Sequence, residues 1–252
     1  MNAFKQLLGA AGGHPPVGTW ISSASPLVAE AVAHAGFDWG VIDMEHSPLD
    51  MMDVVHLLQA VSSSRMVPVV RVPWNDTVTI KRVLDAGATT LLVPFVQSAD
   101  EALRAVAATR YPPQGIRGVS VSQRSNRYGT VPDYFQSVND HICVAVQIES
   151  RAGVAAAREI AALDDVDCLF IGPSDLAAAL GHLGNASHPD VQAAIASVFA
   201  DAQAFGKPVG ILAPLELDAR RYMAMGATFV AVGSDLGAFR SATQALLERY
   251  RH

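Results

Sequence analysis

Lysine is scarce in this chain. Only Lys5, Lys81 and Lys207 occur in 252 residues. Lys5 is near the N-terminus, Lys81 falls in a helical pattern, and Lys207 precedes a strand pattern. Chemistry through a lysine imine needs that amine inside the site, so Schiff-base and pyridoxal-phosphate mechanisms are set aside. Cysteine is scarcer still. Cys143 and Cys168 both sit in strand patterns and read as buried, reduced thiols. Without a disulfide framework, the expected compartment is a reducing cytoplasm. No Cys-x-x-Cys or His-Glu-x-x-His is present, which argues against zinc. Basic clusters are missing too: the net charge is −6, which argues against nucleic acid and anionic membrane as partners. No apolar run approaches the roughly 18 residues that span a bilayer. The N-terminal Met1-Asn-Ala-Phe-Lys-Gln-Leu-Leu has neither the apolar core nor the cleavage site of a secretory signal. There is no Gly-x-Gly-x-x-Gly dinucleotide fingerprint, and Gly233-Ser-Asp-Leu-Gly237 is a poor phosphate loop.

What is present is apolar and periodic. Hydrophobic residues make up 50% of the chain, enough for a large core. Eight short β-rich runs fall at 17–21, 39–43, 67–72, 90–95, 142–148, 168–171, 208–212 and 228–232. Helical spacing fills 26–35, 50–64, 76–86, 99–109, 151–163, 189–205, 215–225 and 235–251. Ser25-Pro26 supplies an N-cap with proline at the first helical position, and Gly87 a C-terminal stop. Strands alternating with helices imply a parallel sheet, and eight repeats imply a closed (β/α)₈ barrel spanning 1–252 as one domain. A doubly wound open sheet is the alternative. One insertion, at about 111–139, is rich in Pro, Gly, Arg and Ser; loops of this length usually carry function or contact a neighbour.

In such a barrel the working residues stand where strands end, and here the polar residues crowd those ends. Strand two closes with Asp43-Met-Glu45-His46, strand three with Arg71, strand five with Gln147 and Glu149. Strand six runs into Gly172-Pro-Ser174-Asp175, and strand seven ends at Leu212. Glu149 and Asp175 form the best pair for a hard divalent cation, which needs only one or two carboxylates. Alternatively, one caps a helix and the other forms a salt bridge. His46 suits a general base near neutral pH, or is an ordinary exposed histidine. Arg71 suits a carboxylate or a developing oxyanion, or pairs with a nearby acid. His188 precedes a helix, and His14, His34, His56, His141, His182 and His252 have no evident partners.

Taken together, the chain resembles the HpcH/HpaI aldolase family over nearly its whole length. The resemblance rests on Phe37-Asp-Trp-Gly-Val-Ile-Asp43-Met-Glu45-His46, Val70-Arg71-Val-Pro-Trp-Asn75, Leu84-Asp85-Ala-Gly87-Ala, Leu92-Val-Pro94, Tyr111-Pro-Pro-Gln-Gly-Ile-Arg-Gly118, Gln147-Ile-Glu149 and Ile171-Gly-Pro-Ser-Asp175-Leu. It implies a pyruvate-type (β/α)₈ barrel and a divalent metal, Mg²⁺, Mn²⁺ or Co²⁺, on Glu149 and Asp175. It implies cleavage of a 4-hydroxy-2-oxo acid, such as 4-hydroxy-2-oxoheptanedioate, to pyruvate and an aldehyde. His46 would be the base, Arg71 would stabilise the pyruvate enolate, and Gln147, Leu212 and the backbone at Ser174 and Asp175 would hold the substrate. Asp85 would raise the basicity of His46, although its place near a helix end calls for a bend or a second subunit. A homohexamer joined through the last helix is also implied. The alternatives are a 2-dehydro-3-deoxyglucarate or hydroxypyruvate-type aldolase, a malyl-CoA or citryl-CoA-like lyase, and a silent barrel that binds a small acid.

Overall fold

A computed structural model describes residues 1–10 and 14–251; His252 lies outside them. The strands are β1 (Val17–Ile21), β2 (Trp39–Asp43), β3 (Val67–Arg71), β4 (Thr90–Val93), β5 (Cys143–Ile148), β6 (Cys168–Ile171), β7 (Val209–Leu212) and β8 (Phe229–Ser234). They pair in sequence order, all parallel, and β8 pairs back to β1, so the barrel is closed. The open-sheet alternative is thereby removed. The helices are α1 (Ala3–Gly9), α2 (Pro26–Ala33), α3 (Met51–Val61), α4 (Thr77–Asp85), α5 (Ala99–Thr109), α6 (Tyr134–Ser137), α7 (Arg151–Ala161), α8 (Pro173–Ala179), α9 (Pro189–Ala204), α10 (Glu216–Ala224) and α11 (Asp235–Glu248).

Strand alternation divides the core in two. Val70, Val144, Val146, Ile148, Leu169, Ile171 and Val230 face the helix layer. Val41, Val69, Cys143, Ala145, Phe170 and Ala231 fill the barrel interior. Both cysteines are free and buried there. The alternating pattern was legible in the sequence; α1 was not. Asn2 caps it, its Oδ1 accepting the N–H groups of Phe4 and Lys5. Asn2 Nδ2 donates to the carbonyls of Thr89 and His141, which tethers the helix across the strand starts. Phe4 then enters the barrel end-on, its ring edge-to-face with Trp39 (5.7 Å) and Phe229 (5.4 Å). The floor of the barrel is an aromatic plug.

The insertion is folded rather than loose. Arg124–Asn126 and Val138–His141 are 3₁₀ turns flanking α6. Arg117 is buried at the insertion's start, with Nη2 2.7 Å from Asp85 Oδ1 and its guanidinium 4.6 Å from the Tyr111 ring. No helix among the described residues is long and apolar enough to cross a membrane.

Candidate active site

The inward columns of β2, β3 and β5 begin apolar at the floor and turn polar at the top, ending in Asp43, Arg71, and Gln147 with Glu149. Asp43 and Arg71 are register partners. Arg71 Nε donates to Asp43 Oδ1 at 2.9 Å and Nη2 donates to Oδ2 at 2.8 Å. Arg71 Nη1 lies 2.8 Å from Glu45 Oε2, yet that oxygen makes no aligned hydrogen bond, so the contact is a charge pairing. Burial opposes the Arg71 charge, but Asp43, Glu45 and Glu149 outweigh it and hold the pKa above the ordinary value. Two of the five guanidinium N–H groups go to Asp43, so the fork keeps donors for a ligand oxygen.

Glu149 is buried just past β5. Its Oε1 accepts the Phe95 N–H at 2.8 Å, and its Oε2 accepts a short hydrogen bond from Gln147 Nε2. Phe95 offers that N–H from a left-handed conformation (φ 56°), which non-glycine residues seldom adopt. Burial pushes the Glu149 carboxyl up to about 7; the Phe95 and Gln147 bonds oppose the shift, while Glu45 and Asp175 add to it. Glu45 is raised as well, first by burial, with Arg71 and His46 opposing and Asp43 and Asp175 adding.

Strand six does not pass directly into its long helix. Gly172 and Pro173 open α8, a two-turn helix that the sequence pattern did not reveal, and Asp175 sits half-buried in its first turn. A Cβ at Gly172 would lie 2.7 Å from Gln147 Nε2 and closer still to Glu149 Oε2. The glycine is what lets the β6–α8 turn approach the carboxylate.

These residues fit a hard cation. Glu45, Glu149 and Asp175 are near enough for their charges to act on one another. Gln147 Oε1 and Glu45 Oε2 are buried oxygens without hydrogen-bond partners among the described residues, a condition that native interiors seldom leave unmet. The three acids are not drawn within 4.8 Å as one ligand set, which suits two protein ligands with water and substrate completing the shell.

The other expected residues divide. His46 is on the same rim, its side chain 62% exposed and its Nε2 3.9 Å from Glu45 Oε2. Ser174 is exposed in the first turn of α8. Leu212 is half-buried and lines, with Trp20 and Arg71, a cavity of about 670 Å³. Asp85 is not brought to them. It ends α4, beside the start of β4, and pairs with Arg117. Within one chain it therefore lies at the barrel end opposite His46, and a bend does not bridge that span. Asp43, Glu45 and Gly172 stand among the strand-end residues named from sequence, but without a role, and the Phe95 N–H was not named. For Asp43 a signal existed: an acid closing one buried strand beside an arginine closing the next.

The model of the family described as HpcH/HpaI aldolase/citrate lyase matches residues 17–242. The chain belongs to this family. The 5-keto-4-deoxy-D-glucarate aldolase of Salmonella newport (strain SL254) is 58% identical over 250 residues, covering 99% of this chain and 97% of the relative. An HpcH/HpaI aldolase/citrate lyase family protein from Burkholderia cenocepacia J2315 superposes with a TM-score of 0.96 at 44% identity, covering 100% of both chains. The HpcH/HpaI aldolase from Desulfitobacterium hafniense DCB-2 gives 0.90 at 28% identity, covering 98% of this chain and 96% of that one. This HpcH/HpaI family member is a carbon–carbon lyase.

Proposed function

We propose that the enzyme reversibly cleaves 5-keto-4-deoxy-D-glucarate to pyruvate and tartronate semialdehyde. Numbered from its ketone end, this sugar acid is a 4-hydroxy-2-oxo acid, so the expected reaction class is retained. The relatives' name favours this sugar acid, the 2-dehydro-3-deoxyglucarate type given above as an alternative, over 4-hydroxy-2-oxoheptanedioate.

The observation that carries the chemistry is buried Glu149 standing close enough to both half-buried Asp175 and the Arg71 guanidinium for their charges to act on one another. Glu149 and Asp175 would hold a divalent ion, Mg²⁺, Mn²⁺ or Co²⁺. When bound, the ion supplies positive charge beside the ketone and carboxylate of the substrate. Gln147 and the backbone at Ser174 and Asp175 hold the pyruvate end, and Leu212 borders it. His46, directly or through one water, takes the proton of the 4-hydroxyl. The C3–C4 bond breaks, the hydroxyl carbon becomes the aldehyde, and the electron pair passes to the pyruvate enolate. Arg71 stabilises the enolate oxygen, and C3 then takes up a proton to give pyruvate.

Several further readings belong with this one. Asp85 acts on His46 from a neighbouring chain, since its own barrel holds it at the far end. A hexamer built through α11 is supported by that helix's exposed Leu236, Phe239, Leu246 and Leu247. Residues 1–252 form one barrel domain, with 111–139 as its functional insertion, in a cytoplasmic enzyme.

The test is direct. The Mn²⁺-loaded enzyme is given 5-keto-4-deoxy-D-glucarate and 4-hydroxy-2-oxoheptanedioate separately, and pyruvate is followed. The sugar acid should turn over with the higher kcat/KM. Preference for the heptanedioate would overturn the substrate, and full activity after exhaustive chelation would overturn the metal.

A further inference from the structure

The loop between α8 and α9 gathers two histidines that sequence reading left apart. His182 Nε2 lies 3.1 Å from Asp190 Oδ2, and His188 Nδ1 lies 3.6 Å from the same oxygen. The two rings stack with centroids 3.4 Å apart and planes 14° from parallel. One ligand atom from each of the three residues falls within 4.8 Å of the others, the only such set of three among the described His, Cys, Asp and Glu side chains.

We propose that His182, His188 and Asp190 form a second metal site, selective for a transition-metal ion such as Zn²⁺, Co²⁺ or Ni²⁺. Ligands about 2.0–2.2 Å from a tetrahedral ion stand roughly 3.3–3.6 Å apart, close to the 3.1 and 3.6 Å found here. Two imidazoles and one carboxylate favour Zn²⁺, Co²⁺ and Ni²⁺ over the Mg²⁺ suited to all-oxygen sites. Three protein ligands leave the fourth position to water. The backbone already fixes the frame: the His182 N–H donates to the Ala177 carbonyl at 2.7 Å, and His188 is the N-cap of α9, with Pro189 at the first helical position. His188 Nδ1 now accepts the Asp190 N–H at 3.2 Å, which shows that nitrogen unprotonated; an ion bound there would replace that hydrogen bond. Because each lone pair lies in its ring plane, binding one ion would open the stack and turn the two planes toward each other. The ion would clip the end of α8 to the start of α9. It needs none of the residues assigned to aldol cleavage.

Cobalt separates the two sites. In a Glu149→Gln, Asp175→Asn background, one equivalent of Co²⁺ should still bind and give the intense visible absorption of a four-coordinate ion. Adding His182→Asn and His188→Asn should abolish both. The same histidine changes in the otherwise native enzyme should leave Mn²⁺-supported aldol turnover unchanged. They should also remove a rise in Tm that Zn²⁺ gives the Glu149→Gln, Asp175→Asn protein. Co²⁺ binding that is absent from that background, or that persists after the histidines are replaced, would overturn the site and leave a hydrogen-bonded helix cap. Either result is independent of which sugar acid is the substrate.

Discussion

Asp43 and Arg71 face each other across the β2–β3 register and are joined by two parallel hydrogen bonds. Asp43 Oδ1 also accepts the N–H groups of Glu45 at 3.0 Å and His46 at 3.4 Å. One carboxylate thus sets both the arginine fork and the turn that presents the proposed base. Removing one member of a buried pair leaves the other charge uncompensated. Asp43→Ala should therefore lower unfolding stability by about 3–5 kcal/mol. Urea titration showing a loss below about 1 kcal/mol would mean that water or Glu45 already satisfies Arg71.

Glu149 makes the metal-free protein lose stability as pH rises from about 4.5 to about 7. Its folded pKa, about 7, lies above its ordinary value of 4.5. The buried carboxyl is thus most stable when protonated. Its contribution is whole below about 4.5 and is lost as pH rises through about 7. Over that window the chelated protein should lose up to about 3 kcal/mol on this account. Glu149→Gln should flatten that part of the stability profile. Parallel profiles for the two proteins would refute it.

Replacing Gly172 by alanine should push a methyl group into Glu149 and Gln147 without touching the barrel wall. The expected result is a folded protein whose Mn²⁺ affinity and turnover both fall by at least tenfold. Calorimetry and circular dichroism together check this; unchanged affinity would show that the turn has room to move.

For His46, loss of a general base typically costs about 10²–10⁴ in rate. His46→Ala should show that loss in kcat, with substrate binding largely retained. Near-normal turnover would transfer the role to a bound water or to Glu45.

Asp85 allows a complementation test. His46→Ala and Asp85→Asn proteins should each be weakly active. If Asp85 serves a neighbouring chain, mixed oligomers formed by co-refolding should recover part of the activity. Mixtures no better than their components would confine Asp85 to its ion pair with Arg117.

The barrel was legible because period-two burial and strand–helix alternation are written in the apolar residues. All eight strand patterns coincide with observed strands to within about two residues at each end. The rim residues Arg71, Gln147, Glu149 and Asp175 were legible because polar groups closing buried strands are costly to place there without a purpose. What escaped depends on three-dimensional closeness. α1 and α8 are each 7 residues long, too short for a periodic signal. The Phe95 N–H acts through a backbone angle, and Gly172 through an atom it does not have. His182, His188 and Asp190 meet only because the α8–α9 loop folds back on itself.

The packed barrel interior, capped at its floor by Phe4, leaves a single mouth. Both products of a cleavage carried out at Glu149 must leave the way the substrate came, past Leu212 and the exposed His46 ring. On the proposed chemistry, the fragment held against Gln147 and Glu149 would be the deeper of the two, and the aldehyde would depart before pyruvate. In the condensing direction the order is reversed, with pyruvate first. On the proposed chemistry, the closed floor makes this an ordered enzyme, with pyruvate the product whose inhibition competes with the intact sugar acid.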